Sequence, residues 1–135
     1  MSDGRIVGQT RDTGFQIGVR RTLAVSLDDA WRRLTSPEGV RAWLGEGDLS
    51  WDKRAPYRLA DGSGGEVRVF EAGHHLRLTW QPPDWPRAST IQLRVIPAAG
   101  GKTTVAFHQE HLPGPDEREA RRQHFAAALD ALARP

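Results

Sequence analysis

The 135-residue chain contains no cysteine. That excludes a disulfide scaffold, a cysteine-ligated zinc site, an iron–sulfur cluster and a thiol nucleophile. No run of 18 apolar residues exists, so no transmembrane helix is expected. The opening MSDGRIVGQTRDTGF lacks the apolar centre of a signal peptide, and the expectation is a soluble cytoplasmic protein. Excess charge is also scarce. Nineteen basic against 17 acidic residues leave a net charge of +2. The pI of about 9.7 reflects arginine in place of lysine, not a large basic surplus, because arginine holds its proton to very high pH. The basic residues occur as scattered pairs, Arg20–Arg21, Arg32–Arg33 and Arg121–Arg122. No exposed aromatics are interleaved with them, so no nucleic-acid partner is expected. Neither a Gly-x-Ser-x-Gly elbow nor a phosphate-binding loop occurs. The Gly-rich stretch Asp61-Gly62-Ser63-Gly64-Gly65 reads as a hairpin turn.

What is present is an ordinary globular composition, with 38% hydrophobic residues in a chain of single-domain size. Residues 1–13 are polar and read as a flexible N-terminal arm. Residues 14–135 form the expected domain. Phe15, Ile17, Val19, Leu23 and Val25 mark a strand with one buried face. Ser26 and Asp29 are spaced to cap a short helix carrying Ala30, Trp31 and Leu34. Ser36-Pro37-Glu38 opens a second, with Ser at the cap and Pro at the first helical position. The period then switches to two. Strands are expected around Tyr57, over 66–71, 75–80 and 90–95, and from Thr103 to His111. Alternation in the last of these turns Val105, Phe107, Gln109 and His111 inward. A final helix of about 17 residues is expected to open at Asp116 and Glu119, spaced as a capping pair. It buries Phe125, Leu129 and Leu132, at i, i+4, i+7. The short turns between strands require an antiparallel sheet. The fold class is therefore α+β, an antiparallel sheet of about six strands with the long C-terminal helix on its apolar face.

Several segments carry a family resemblance. They are Val25-Ser26-Leu27-Asp28-Asp29-Ala30-Trp31, Thr35-Ser36-Pro37-Glu38-Gly39-Val40-Arg41-Ala42-Trp43, and Gly65-Glu66-Val67 through to Leu76-Arg77-Leu78-Thr79-Trp80. Gly100-Gly101-Lys102-Thr103-Thr104-Val105 through Leu112-Pro113 and His124 to Leu132 complete them. Together the chain resembles the small stand-alone homologues of the Hsp90 ATPase activator, within the START-like (SRPBCC, Bet v 1-like) superfamily of helix-grip folds. The resemblance runs from about Phe15 to Ala133. Phe125 stands where Trp is usual, and His108, Glu110 and His111 replace small or hydroxyl residues. The resemblance implies a cavity between sheet and C-terminal helix, and the alanines flanking that helix leave room for one. The expected lining is Trp43, Leu44, Tyr57, Trp80, Leu93, Val105, Phe107, Gln109, Phe125 and Leu129.

The expected function is non-catalytic binding of a small hydrophobic or aromatic molecule in that cavity, in a monomer or weak dimer. The first alternative, implied by the family, is an interaction protein that regulates a chaperone ATPase. A further alternative is a cyclase, hydrolase or self-resistance protein that uses Gln109, His111 or Tyr57 in the same cavity. No catalytic residue, cofactor, metal or membrane contact is expected. The adjacent His74 and His75 point to different sides, and His108 and His111 face opposite sheet faces by alternation. Neither pair has metal-ligand spacing. Trp85, flanked by prolines, is read as a contact residue or a lid over the cavity mouth.

Overall fold

The computed structural model describes residues 9–10 and 14–134. The element order is β1 (Gln9–Thr10), β2 (Gly14–Leu23), α1 (Leu27–Thr35), α2 (Pro37–Trp43), β3 (Pro56–Arg58), β4 (Gly64–Glu71), β5 (His75–Trp80), β6 (Ser89–Pro97), β7 (Thr103–Leu112) and α3 (Pro115–Ala133). One antiparallel sheet has the order β1-β2-β7-β6-β5-β4-β3. It contains the six expected strands. The added β1 lies in the stretch read as a flexible arm, where Gln9 and Thr10 pair with Phe15 and Gly14; the rest of that arm lies outside the described residues. No helix among the described residues is long and apolar enough to cross a membrane.

Local chemistry explains the helices. The Ser26 side chain accepts from the Asp29 amide and the Ser36 side chain from the Gly39 amide, with Pro37 opening α2. The start of α3 differs from expectation. Gly114 is the cap and Pro115 the first helical residue, without a side-chain cap. Asp116 is therefore already inside the first turn, and Glu119 pairs with Arg122 instead of reaching back. Near the start of β4, Gly65 is required by crowding. A Cβ there would stand 2.0 Å from the Thr79 carbonyl oxygen of β5.

One face of the sheet carries Ile17, Leu76, Leu78, Ile91, Leu93, Val105 and Phe107 against the helices. The helical contribution is Leu34, Val40, Trp43, Phe125, Ala128, Leu129 and Leu132. Trp43 bonds its indole N–H to the Leu34 carbonyl at 2.8 Å, tying α2 to α1. A smaller aromatic cluster sits beside this core, with Phe70 of β4 5.1 Å from Trp51 and 5.5 Å from Trp31 between ring centroids.

The strict alternation expected in β7 fails after Gln109. Ile17 pairs with Gln109, but Phe15 pairs with Leu112, so β7 carries one extra residue there. His111 takes the left-handed conformation, φ 65°. This bulge sends Leu112 inward in place of His111. The expectation that His111 faces the interior is thereby corrected. So is the expectation that His108 and His111 lie on opposite faces, because both line one groove on the outer face.

Candidate functional site

The buried stripe of α3 begins earlier than its apolar residues. Arg121, Phe125, Ala128, Leu129 and Leu132 are all buried. Arg121 stands one helical turn before Phe125 on the same face, which places its guanidinium between α3 and the sheet. Its Cζ lies 4.0 Å from the Trp80 ring centroid and 4.9 Å from that of Phe125. Desolvated stacking of this kind contributes on the order of 1–2 kcal/mol.

A chain of hydrogen bonds orients this arginine. Arg121 Nε donates to Gln109 Oε1 at 2.9 Å. Gln109 Nε2 donates to Ser89 Oγ at 2.8 Å, and Ser89 Oγ donates to the Trp80 carbonyl at 2.7 Å. Gln109 and Ser89 are wholly buried. The Trp80 indole N–H reaches Ser63 Oγ at 3.2 Å, and Ser63 donates in turn to Asp61. The Tyr57 hydroxyl donates to the Thr79 carbonyl at 2.5 Å. Arg121 Nη2 is buried and has no hydrogen-bond partner among the described residues.

Electrostatics follow from this burial. Desolvation draws the Arg121 guanidinium down to about 10, opposed by Tyr57 and Asp61, so it remains charged at neutral pH. Burial pushes the Tyr57 phenol well above its usual range, against the pull of Arg121. The bonds from Ser63 lower the Asp61 carboxyl. His124, one position before Phe125, hydrogen-bonds the Trp43 carbonyl at 2.8 Å. Burial, and next the charge of Arg121, holds its imidazole below the ordinary value.

All ten expected lining residues are buried, but they fall into two groups that share Phe125. Tyr57, Trp80, Gln109 and Phe125 gather around Arg121. In the second group Trp43, Phe107 and Phe125 pack directly: the Phe107 and Phe125 rings stack at 4.6 Å and Trp43 lies 5.8 Å from Phe107. Leu44, Leu93, Val105 and Leu129 belong to that contiguous apolar core. The alanines expected to leave room do not all face the sheet. Ala128 is buried in the core, while Ala127 and Ala131 are exposed. Trp85 meets Trp80 edge-on at 5.1 Å, 82° between ring planes.

Sequence reading missed Arg121, which it counted among scattered basic pairs. The signal that finds it is phase: stepping back one turn from Phe125, Leu129 and Leu132 lands on position 121. His74 and His75 also depart from expectation. Their rings stand 6.3 Å apart, and with Glu71 they bring three potential ligand atoms within 4.8 Å of one another at the β4–β5 turn.

The outer sheet face carries a groove of about 540 Å³. Lys53, Arg54, Arg68 and Arg77 line it, with Thr79, Thr90 and Gln92 from the strand surface and His108, Glu110 and His111 at its β7 end. Arg77 is held by Gln92 Oε1 at 2.8 Å.

Comparison with known structures matches this architecture. CalU16 from Micromonospora echinospora superposes with a TM-score of 0.75 at 19% identity, over 89% of this chain and 76% of that one. Protein MLL2253 from Mesorhizobium loti gives 0.70 at 22% identity, over 87% and 93%. PFC0360w, an HSP90 activator from Plasmodium falciparum, gives 0.63 at 16% identity, over 74% and 75%. No curated protein matches the sequence. The model of the family described as Activator of Hsp90 ATPase homolog 1-like protein matches residues 24–134. That span runs from the end of β2 through both short helices and the whole of α3, the elements that build and cover the Arg121 cluster. The sheet order, the helix pair and the gripped C-terminal helix therefore have one source: the chain belongs to the family of Activator of Hsp90 ATPase homolog 1-like proteins.

Proposed function

We propose that the protein binds a small apolar or aromatic molecule between the sheet and α3, at the Arg121 end, without catalysing its conversion. The observation that carries this reading is the buried guanidinium of Arg121, flanked by Trp80 and Phe125 and left with a free N–H. Small-molecule sites are mostly apolar walls with a few fixed polar groups, and this cluster has that make-up. The groups an acid–base mechanism would need are engaged or displaced. The Tyr57 hydroxyl is spent on Thr79, and His111 faces outward. That favours binding over chemistry. A thermal-shift screen with apolar and aromatic metabolites tests the reading. A concentration-dependent rise in midpoint is expected, lost in Trp80→Ala protein that still folds. A screen without hits in folded protein would contradict it.

A second reading has its own observation. The outer groove, with four cationic side chains from the β3 approach, β4 and β5, is a surface suited to an acidic partner. One structural relative is named as an HSP90 activator. Regulation of a chaperone ATPase through this face predicts that Arg68→Glu/Arg77→Glu protein loses stimulation of an Hsp90 ATPase while keeping its fold. No stimulation by the unaltered protein would dismiss this reading.

A further inference from the structure

The arginine ion pairs of the described residues lie at the surface: Arg21–Asp130, Arg32–Asp29, Arg68–Glu66 and Arg122–Glu119. Arg121, the buried one, has no carboxylate within ion-pair distance among the described residues. Asp61, whose field reaches it, is committed to the Ser63 hydroxyl and amide. The group that meets Arg121 directly is the neutral amide of Gln109. A buried cation without an acid is costly to the protein alone, and Nη2 is an unanswered donor as well. Its direction is set, because Nε is held by Gln109 and the guanidinium lies over the Trp80 and Phe125 rings.

We propose that the molecule bound at the sheet–helix site is an anion, a flat apolar body bearing one carboxylate, phenolate or enolate, whose oxygen takes the free Nη2 of Arg121 and supplies its missing counter-charge. The inference rests on reading this interior as a ligand site and adds the charge of the ligand to it. The guanidinium fork suits such an acceptor, since charge-assisted bonds to planar oxyanions are the strong ones arginine makes. Trp80 and Phe125 supply the apolar walls beside it. The Gln109–Ser89 relay keeps the fork from turning away when the site is empty.

The test compares naphthoate with naphthylmethanol, which has a similar ring body but no charge, by calorimetric titration at neutral pH. Naphthoate should bind at least about tenfold tighter, the difference expected when a hydrogen bond to a buried charge is made with an anion instead of a neutral group. Arg121→Met should abolish the preference while retaining binding of the alcohol. Gln109→Glu provides a second variant should Arg121→Met fail to fold. It sets a carboxylate of the protein's own against Arg121, so naphthoate should weaken at least about tenfold and the alcohol should not. Equal affinity for the two probes overturns the anion inference and leaves the ligand site standing. Naphthoate binding unaffected by both variants but lost in Arg77→Ala places the anion in the outer groove and likewise overturns it. Binding of neither probe removes the inference together with the site on which it rests.

Discussion

Arg121 Nε and Gln109 Oε1 are 2.9 Å apart, joining α3 to β7 through the interior of the protein. Both residues are buried, and the guanidinium lies over the face of the Trp80 ring. It locks the gripped helix onto the sheet and aims a charge.

Gln109→Leu should be strongly destabilising. It strips the acceptor from a buried cation and the donor from Ser89 in one step. The expected loss is about 3 kcal/mol, the scale of leaving buried polar groups unanswered. Urea unfolding checks it, and a change below about 0.5 kcal/mol would mean that solvent already reaches these groups.

His124 should make stability depend on pH. Its folded-state value is lowered, chiefly by burial and next by Arg121, so the unfolded chain binds the proton more readily. The contribution is complete above the unfolded value, about 6.5, and is lost as pH falls below it toward the lower folded value. Melting temperatures between pH 8 and pH 5 should fall on acidification, and His124→Gln should flatten that part of the curve. An unchanged slope in the variant would show that another group is responsible.

The β7 bulge makes His111 a position for glycine. A non-glycine residue at φ 65° carries a cost of about 1 kcal/mol. His111→Gly should therefore leave stability unchanged or raise it by up to about that amount, with no effect on ligand binding at α3. Loss of binding in this variant would put His111 back in the interior.

Gly65→Ala should disrupt the β3–β4 corner. The added methyl would fall 2.0 Å from the Thr79 carbonyl oxygen, which also accepts from Tyr57. A loss of about 3 kcal/mol or more is expected by thermal melting, since backbone must move. Gly73→Asn serves as control, because its Cβ direction is open and Asn tolerates the left-handed conformation. Equal stability of the two variants would contradict the crowding described here.

How far these features were legible in the sequence depended on how local their causes are. Ser26, Ser36 and Pro37 announce their helices because a cap acts within one turn. Alternation carried the reading through Val105, Phe107 and Gln109, and the burial of Gln109 follows from it. It failed two residues later. A bulge is a property of two paired strands, and the count between Phe15 and Ile17 against Leu112 and Gln109 is visible only once they are paired. Arg121 was overlooked for a different reason. Its residue type suggested the surface, whereas its helical phase with Phe125 and Leu129 placed it inside. The expected fold class holds because it was argued from periodicity and turn length. The site required knowing which polar side chains stay unpaired after packing.

The most direct test of the ligand site is a heteronuclear NMR titration of the intact protein with naphthoate, following the Arg121 Nε–H and Trp80 Nε1–H resonances. Both should shift saturably and together, with outer-face residues such as Arg77 and Gln92 unmoved. Shifts confined to the outer face, with the Arg121 and Trp80 signals unchanged, would contradict a ligand site between the sheet and α3.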